Sequence, residues 1–115
     1  MEGSATTEGT PLALDHDYDM QSTYSGLVVI VAATADYQAE TPMNPEQRFL
    51  AVTCTFRNGD GEVLHETGRL LKDPLDPGAS VDLEFTLGID VDEAERYELR
   101  AEWREGTSEN GSGGE

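Results

Sequence analysis

The chain has 115 residues, with 24 Asp and Glu against 7 Lys and Arg, for a formal net charge of -17. That length suits one domain with a single modest core. The charge excludes a nucleic-acid partner, because phosphate binding needs a basic footprint. No apolar run is long enough to insert into a membrane as a helical span.

Carboxylates run from Glu2 to Glu115 through every segment, and Lys72 is the sole lysine. A block-like acidic tail would concentrate them, and a disordered chain would lack apolar patterning. The remaining reading is a folded domain adapted to molar salt, as in an extreme halophile. There the Debye length is about 3 Å, self-repulsion is screened and a carboxylate coat keeps the protein hydrated. Cys54 is the only cysteine, which excludes an internal disulfide.

In chain order, residues 1–10 (MEGSATTEGT) read as a flexible acidic tail with no signal-peptide pattern. A β domain over 11–104 follows. Leu12 to Met20 alternates, with Leu12, Leu14, His16, Tyr18 and Met20 on one face and Asp15, Asp17 and Asp19 on the other. Tyr24 to Thr34 is apolar on both faces, as a strand covered on both sides would be, and Gly26 marks a bulge or a close backbone approach. Ala35 to Gln47, with Pro42 and Pro45, reads as an exposed loop over the end of the domain.

Arg48 to Arg57 alternates again, with Leu50, Val52, Cys54 and Phe56 on one face. Asn58-Gly59-Asp60-Gly61 is the strongest turn signal and predicts an antiparallel return along Glu62 to Leu71. Asp73 to Gly78 is a second turn cluster. Ser80 to Leu87 and Arg96 to Arg104 are clean alternating strands, separated by a loop or single helical turn over Asp90 to Glu95. Residues 105–115 read as a flexible Gly/Ser/Glu tail. Asn110-Gly111-Ser112 in it fits a glycosylation acceptor, a pattern frequent by chance.

About six or seven strands without an intervening amphipathic helix predict an all-β, antiparallel two-sheet sandwich with Greek-key connections. The expected core is Leu14, Val29, Val31, Leu50, Val52, Cys54, Phe56, Leu64, Leu71, Leu83, Phe85, Leu87, Tyr97, Leu99 and Trp103.

The segment Val52-Thr53-Cys54-Thr55-Phe56, then Asn58-Gly59-Asp60-Gly61-Glu62-Val63-Leu64, Leu75-Asp76-Pro77-Gly78, the strand ending near Phe85, and Ala94-Glu95-Arg96-Tyr97-Glu98-Leu99 resemble the FxLYD domain. That family belongs among small immunoglobulin-like modules of bacterial and archaeal surface proteins and lipoproteins. The resemblance spans roughly half the chain. It implies an immunoglobulin-like sandwich and a non-catalytic, extracytoplasmic module, which the charge reading would place in a halophilic archaeon. The family offers no catalytic residue to carry over.

Cys54 with His16 or His65 does not make a copper site. A copper loop places Cys, His and Met within a few residues, whereas His65 lies eleven residues past Cys54, across a hairpin. Alternation with Val52 and Phe56 instead makes Cys54 a small buried hydrophobe. Asp15, Asp17 and Asp19 resemble the start of a calcium loop, but Met20 and Gly26 stand where the loop needs Gly and Glu. Asp90, Asp92 and Glu93 form a second candidate cation cluster. Paired carboxylates for glycoside hydrolysis exist by number alone, and no phosphate loop, nucleophile elbow or zinc spacing occurs. Neither an enzyme nor a cofactor is expected.

Two functions remain. The first is a binding or structural module whose partner is another protein or a second copy, contacting through a sheet edge or the 35–47 loop. Tyr37, Met43 and Phe49 are then candidate contact residues, unless they only cover the sandwich end. The second is a calcium- or other metal-binding domain using the acidic loops.

Overall fold

The computed structural model describes residues 1–24 and 26–105. Seven strands form two sheets: β1 (Glu2–Thr6), β2 (Leu12–Thr23), β3 (Gly26–Tyr37), β4 (Arg48–Arg57), β5 (Val63–Leu71), β6 (Ser80–Leu87) and β7 (Arg96–Glu105). One sheet has the order β1-β7-β4-β5 and the other β2-β3-β6. A short 3-10 turn, Val91–Glu93, precedes β7. The protein is an all-β sandwich.

Alternation puts apolar side chains between the sheets. Val29, Val31, Phe85 and Leu87 come from one sheet and Leu50, Val52, Cys54, Phe56 and Leu99 from the other, all almost wholly buried. Each large side chain so buried contributes about 1.5–3 kcal/mol. No buried side-chain N or O atom among the described residues lacks a hydrogen-bond partner.

Three expected core residues are only half-buried: Leu14, Leu64 and Trp103. The cause for Leu64 is a bulge. Phe56 pairs with His65 and Arg57 with Val63, so Leu64 is an extra residue and the strand's parity shifts. His65, Thr67, Arg69 and Leu71 consequently share the inward face with their partners Phe56, Cys54, Val52 and Leu50.

Two other expectations need correction. β3 is hydrogen-bonded on both edges but packed on one face only. Val28, Ile30 and Thr34 are half-buried and Ala32 is exposed on the other face, shielded partly by neighbouring strands. Gly26 opens β3 just after the hairpin turn, with φ 123° and open space where a side chain would stand, so it serves neither a bulge nor a close approach.

The expected tail also differs. Glu2–Thr6 pairs with β7, Glu2 opposite Arg96 and Thr6 opposite Arg100, the one parallel ladder of the described sheets. The Glu2 N–H donates to the Glu95 carbonyl at 3.0 Å. Gly3 lies against the Tyr97 ring, where any side chain would collide with the aromatic carbons. Composition hid this strand because small polar residues suit an exposed edge as well as a tail. At the other end β7 runs through Glu105, and residues 106–115, with Asn110-Gly111-Ser112, lie outside the described residues.

Candidate functional site

The acidic candidates stay apart. Asp15, Asp17 and Asp19 alternate along the outer face of β2, exposed and separated by inward-facing residues. Asp17 accepts from the Tyr18 N–H at 2.8 Å and Asp19 from the Gln21 amide at 3.2 Å. Asp90 takes a left-handed conformation, φ 49°, ahead of the 3-10 turn that carries Asp92 and Glu93, and makes no side-chain cap. No group of three His, Cys, Asp or Glu side chains among the described residues is arranged to hold a metal ion.

Across β3, Asp17 lies level with Ala32 and Ala32 with Glu84, and Thr34 lies between Asp15 and Asp82. The outer face of the β2-β3-β6 sheet is thus a shallow trough of about 600 Å³ with carboxylates along both sides. Thr34 donates across it to Asp82 at 3.2 Å.

The three contact candidates are not surface residues. Tyr37, Met43 and Phe49 are all buried. The Tyr37 hydroxyl donates to the Thr41 carbonyl at 2.9 Å, and its backbone pairs with Ala79 and Gly78. Met43 forms a β-bridge with Leu75, its N–H donating to the Leu75 carbonyl at 2.8 Å. Phe49 lies under the Lys72 ammonium, 5.2 Å from the ring centre. The loop after β3 is pinned down by these residues, so its apolar side chains close the sandwich end.

What that end offers instead is a cleft of about 460 Å³, lined by Pro11, Tyr37, Asn44, Gln47, Arg48 and Trp103, among others. Arg48 opens β4 on the same face as Leu50, and Leu50 pairs with Trp103. Beside Tyr37, the last residue of β3, that face carries Arg48 over the Trp103 ring, 3.9 Å from its centre. The loop buttresses it: the Asn44 carbonyl accepts from the Gln47 and Arg48 N–H groups at 3.0 and 3.1 Å, and its side chain accepts from the Glu46 N–H at 3.1 Å. A stacked guanidinium keeps its in-plane N–H donors free for an acceptor, while the indole supplies apolar area. Parity alone assigns Trp103 to the core, whereas it is only half-buried. The sequence signal is position, since Arg48 stands first in β4 and Trp103 close to the end of β7, where strand ends leave side chains partly uncovered.

Cys54 is fully buried, and burial pushes its thiol from 9.0 up to about 12. That removes it as a nucleophile at neutral pH. Tyr97 is also raised, by burial first and then by the Asp17 charge. Its hydroxyl is 2.8 Å from His16 Nδ1.

No family model matches the chain, and neither a curated protein nor a solved structure matches it.

Proposed function

We propose that this protein is a non-catalytic binding or structural module of a halophile, immunoglobulin-like and related to FxLYD domains. On that reading it works outside the cytoplasm as part of a surface protein or lipoprotein. The observation that carries the binding role is the end cleft. On a surface dominated by carboxylates, it gathers an arginine, an indole and the Asn44 and Gln47 amides in one concavity.

This chemistry suits an extended protein segment bearing a carboxylate beside an apolar side chain. Arg48 would take the carboxylate, and Trp103 the apolar neighbour. Among the described residues no three acidic or histidine side chains converge, so the cleft rather than the acidic loops supports a binding role.

Trp103 is the chain's only tryptophan and reports directly on the cleft. The test titrates the protein in molar potassium chloride with short Asp- and Leu-containing peptides while following its emission. A saturable shift is expected, weakened about tenfold or more by Arg48→Gln, the size of a lost charge-assisted hydrogen bond. No saturable shift with any peptide, or one indifferent to Arg48→Gln, overturns the assignment of the cleft.

A further inference from the structure

The four sheet edges are guarded unequally. β2 carries Asp15, Asp17 and Asp19, β6 carries Asp82 and Glu84, and β5 carries Glu66 and Arg69. Arg69 lies on the inward-facing side of β5, 5.6 Å over the Phe85 ring, an arrangement that discourages a further strand from pairing there. β1, by contrast, reads Glu-Gly-Ser-Ala-Thr, and all five residues are exposed.

Which backbone groups β1 leaves open follows from its one-sided ladder. Glu2 donates its N–H toward β7. In a strand, consecutive residues direct their N–H and C=O groups to opposite edges. Glu2, Ser4 and Thr6 therefore serve the β7 ladder, and Gly3 and Ala5 turn their polar backbone groups outward.

We infer that this edge pairs with β1 of a second copy, antiparallel about a twofold axis at Ser4, joining two four-stranded sheets edge to edge. Gly3 of each copy exchanges hydrogen bonds with Ala5 of the other, using the groups left open. The register also settles the charges. Glu2 falls opposite Thr6 of the second copy rather than another Glu2. Beside that Thr6, one strand further in, is Arg100 on β7, exposed and on the same face. Arg96 stands likewise beside Glu2. With only 7 cations in the chain, two of them back this edge, and Glu98, which stands between them beside Ser4, is paired with Arg57, so the repulsion between two such acidic molecules is reduced here. The remaining repulsion confines pairing to high salt. This inference rests on different residues from the cleft, so either can fail alone.

The test compares Ser4→Cys with Thr6→Cys in the full chain, in molar potassium chloride under mild oxidation. At the axis, Ser4 faces its own copy as a non-hydrogen-bonded pair, about 4.5 Å between Cα atoms and within disulfide reach. Thr6 faces Glu2. Ser4→Cys should therefore form covalent dimers at least about tenfold faster than Thr6→Cys, and Cys54, being buried, stays out of the reaction. Light scattering of the unsubstituted protein should show the mass doubling with concentration. Ala5→Pro removes only an outward donor and should remain monomeric with an unchanged circular dichroism spectrum. Equal cross-linking by the two cysteine variants, or a monomer at every concentration, overturns the proposal. So does dimerisation of Ala5→Pro.

Discussion

Tyr97 joins the two sheets at the edge where β1 lies. Its ring packs under Gly3, meets His16 edge-on at 5.5 Å and Tyr18 at 6.0 Å, and its hydroxyl bonds His16. Both Tyr97 and Cys54 stay protonated in the folded protein at pH values where an unfolded chain would ionise them, because burial penalises their charged forms. The sign of the linkage follows. Below the ordinary thiol value of 9.0 neither group changes stability, and as pH climbs from there through about 12 the unfolded state gains by ionising. Denaturant melts in molar salt should show stability declining as pH rises above about 9. Cys54→Ala should flatten the part that belongs to the thiol. At neutral pH a thiol reagent should label Cys54 only as fast as the protein opens, and labelling at the free-thiol rate would contradict its burial.

Among the elements, the β4–β5 hairpin shows how a turn sets register. Asn58 holds it almost alone: its side-chain oxygen accepts from the Asp60 and Glu62 N–H groups, both at 2.9 Å, and its amide reaches the Glu62 carboxylate at 3.1 Å. Gly61 follows with φ 87°, and its carbonyl accepts from Arg57 at 2.8 Å while Arg57 also pairs with Glu98 at 3.0 Å. Asn58→Ala should lower stability by about 1–2 kcal/mol, the cost of unpaired turn amides, read as a drop in melting midpoint. A change within a few tenths of a kcal/mol would mean water replaces the side chain fully. Such turns and the alternation of Ser80–Leu87 and Arg96–Glu105 are local chemistry, which is why those strands were legible in the sequence with almost their observed bounds. β1 was not legible because its only partner, β7, lies more than ninety residues away and its own residues carry no pattern. The cleft was half legible. The parity of Arg48 and Trp103 was plain, but that they meet in one cleft with Pro11 and Tyr37 depends on where β2 begins and β3 ends.

At the scale of the whole molecule, charge sets the conditions under which all this holds. The body measures 48 × 32 × 28 Å. At 0.01 M salt the Debye length is about 30 Å, so most of the -17 acts on itself, whereas near 1 M it is about 3 Å and only adjacent groups interact. Two ion pairs among the described residues, Arg57 with Glu98 and Arg104 with Glu102, are partly exposed and offset little of this. The outer face of the β2-β3-β6 sheet concentrates the problem, since Asp17 and Glu84 flank the same Ala32 about 10 Å apart, each beside further acids. The melting midpoint followed by circular dichroism should therefore rise steeply with potassium chloride. Screening can be separated from general salt effects on apolar burial by Asp17→Lys and Glu84→Lys. Each should stabilise the fold at low salt by a few tenths to about 1 kcal/mol, and the gain should vanish in molar salt. If both variants gain equally at every salt concentration, the effect is local to the trough and screening is not what holds the protein folded. If neither gains while the midpoint still climbs, salt acts through the core, and the acidic coat serves hydration alone.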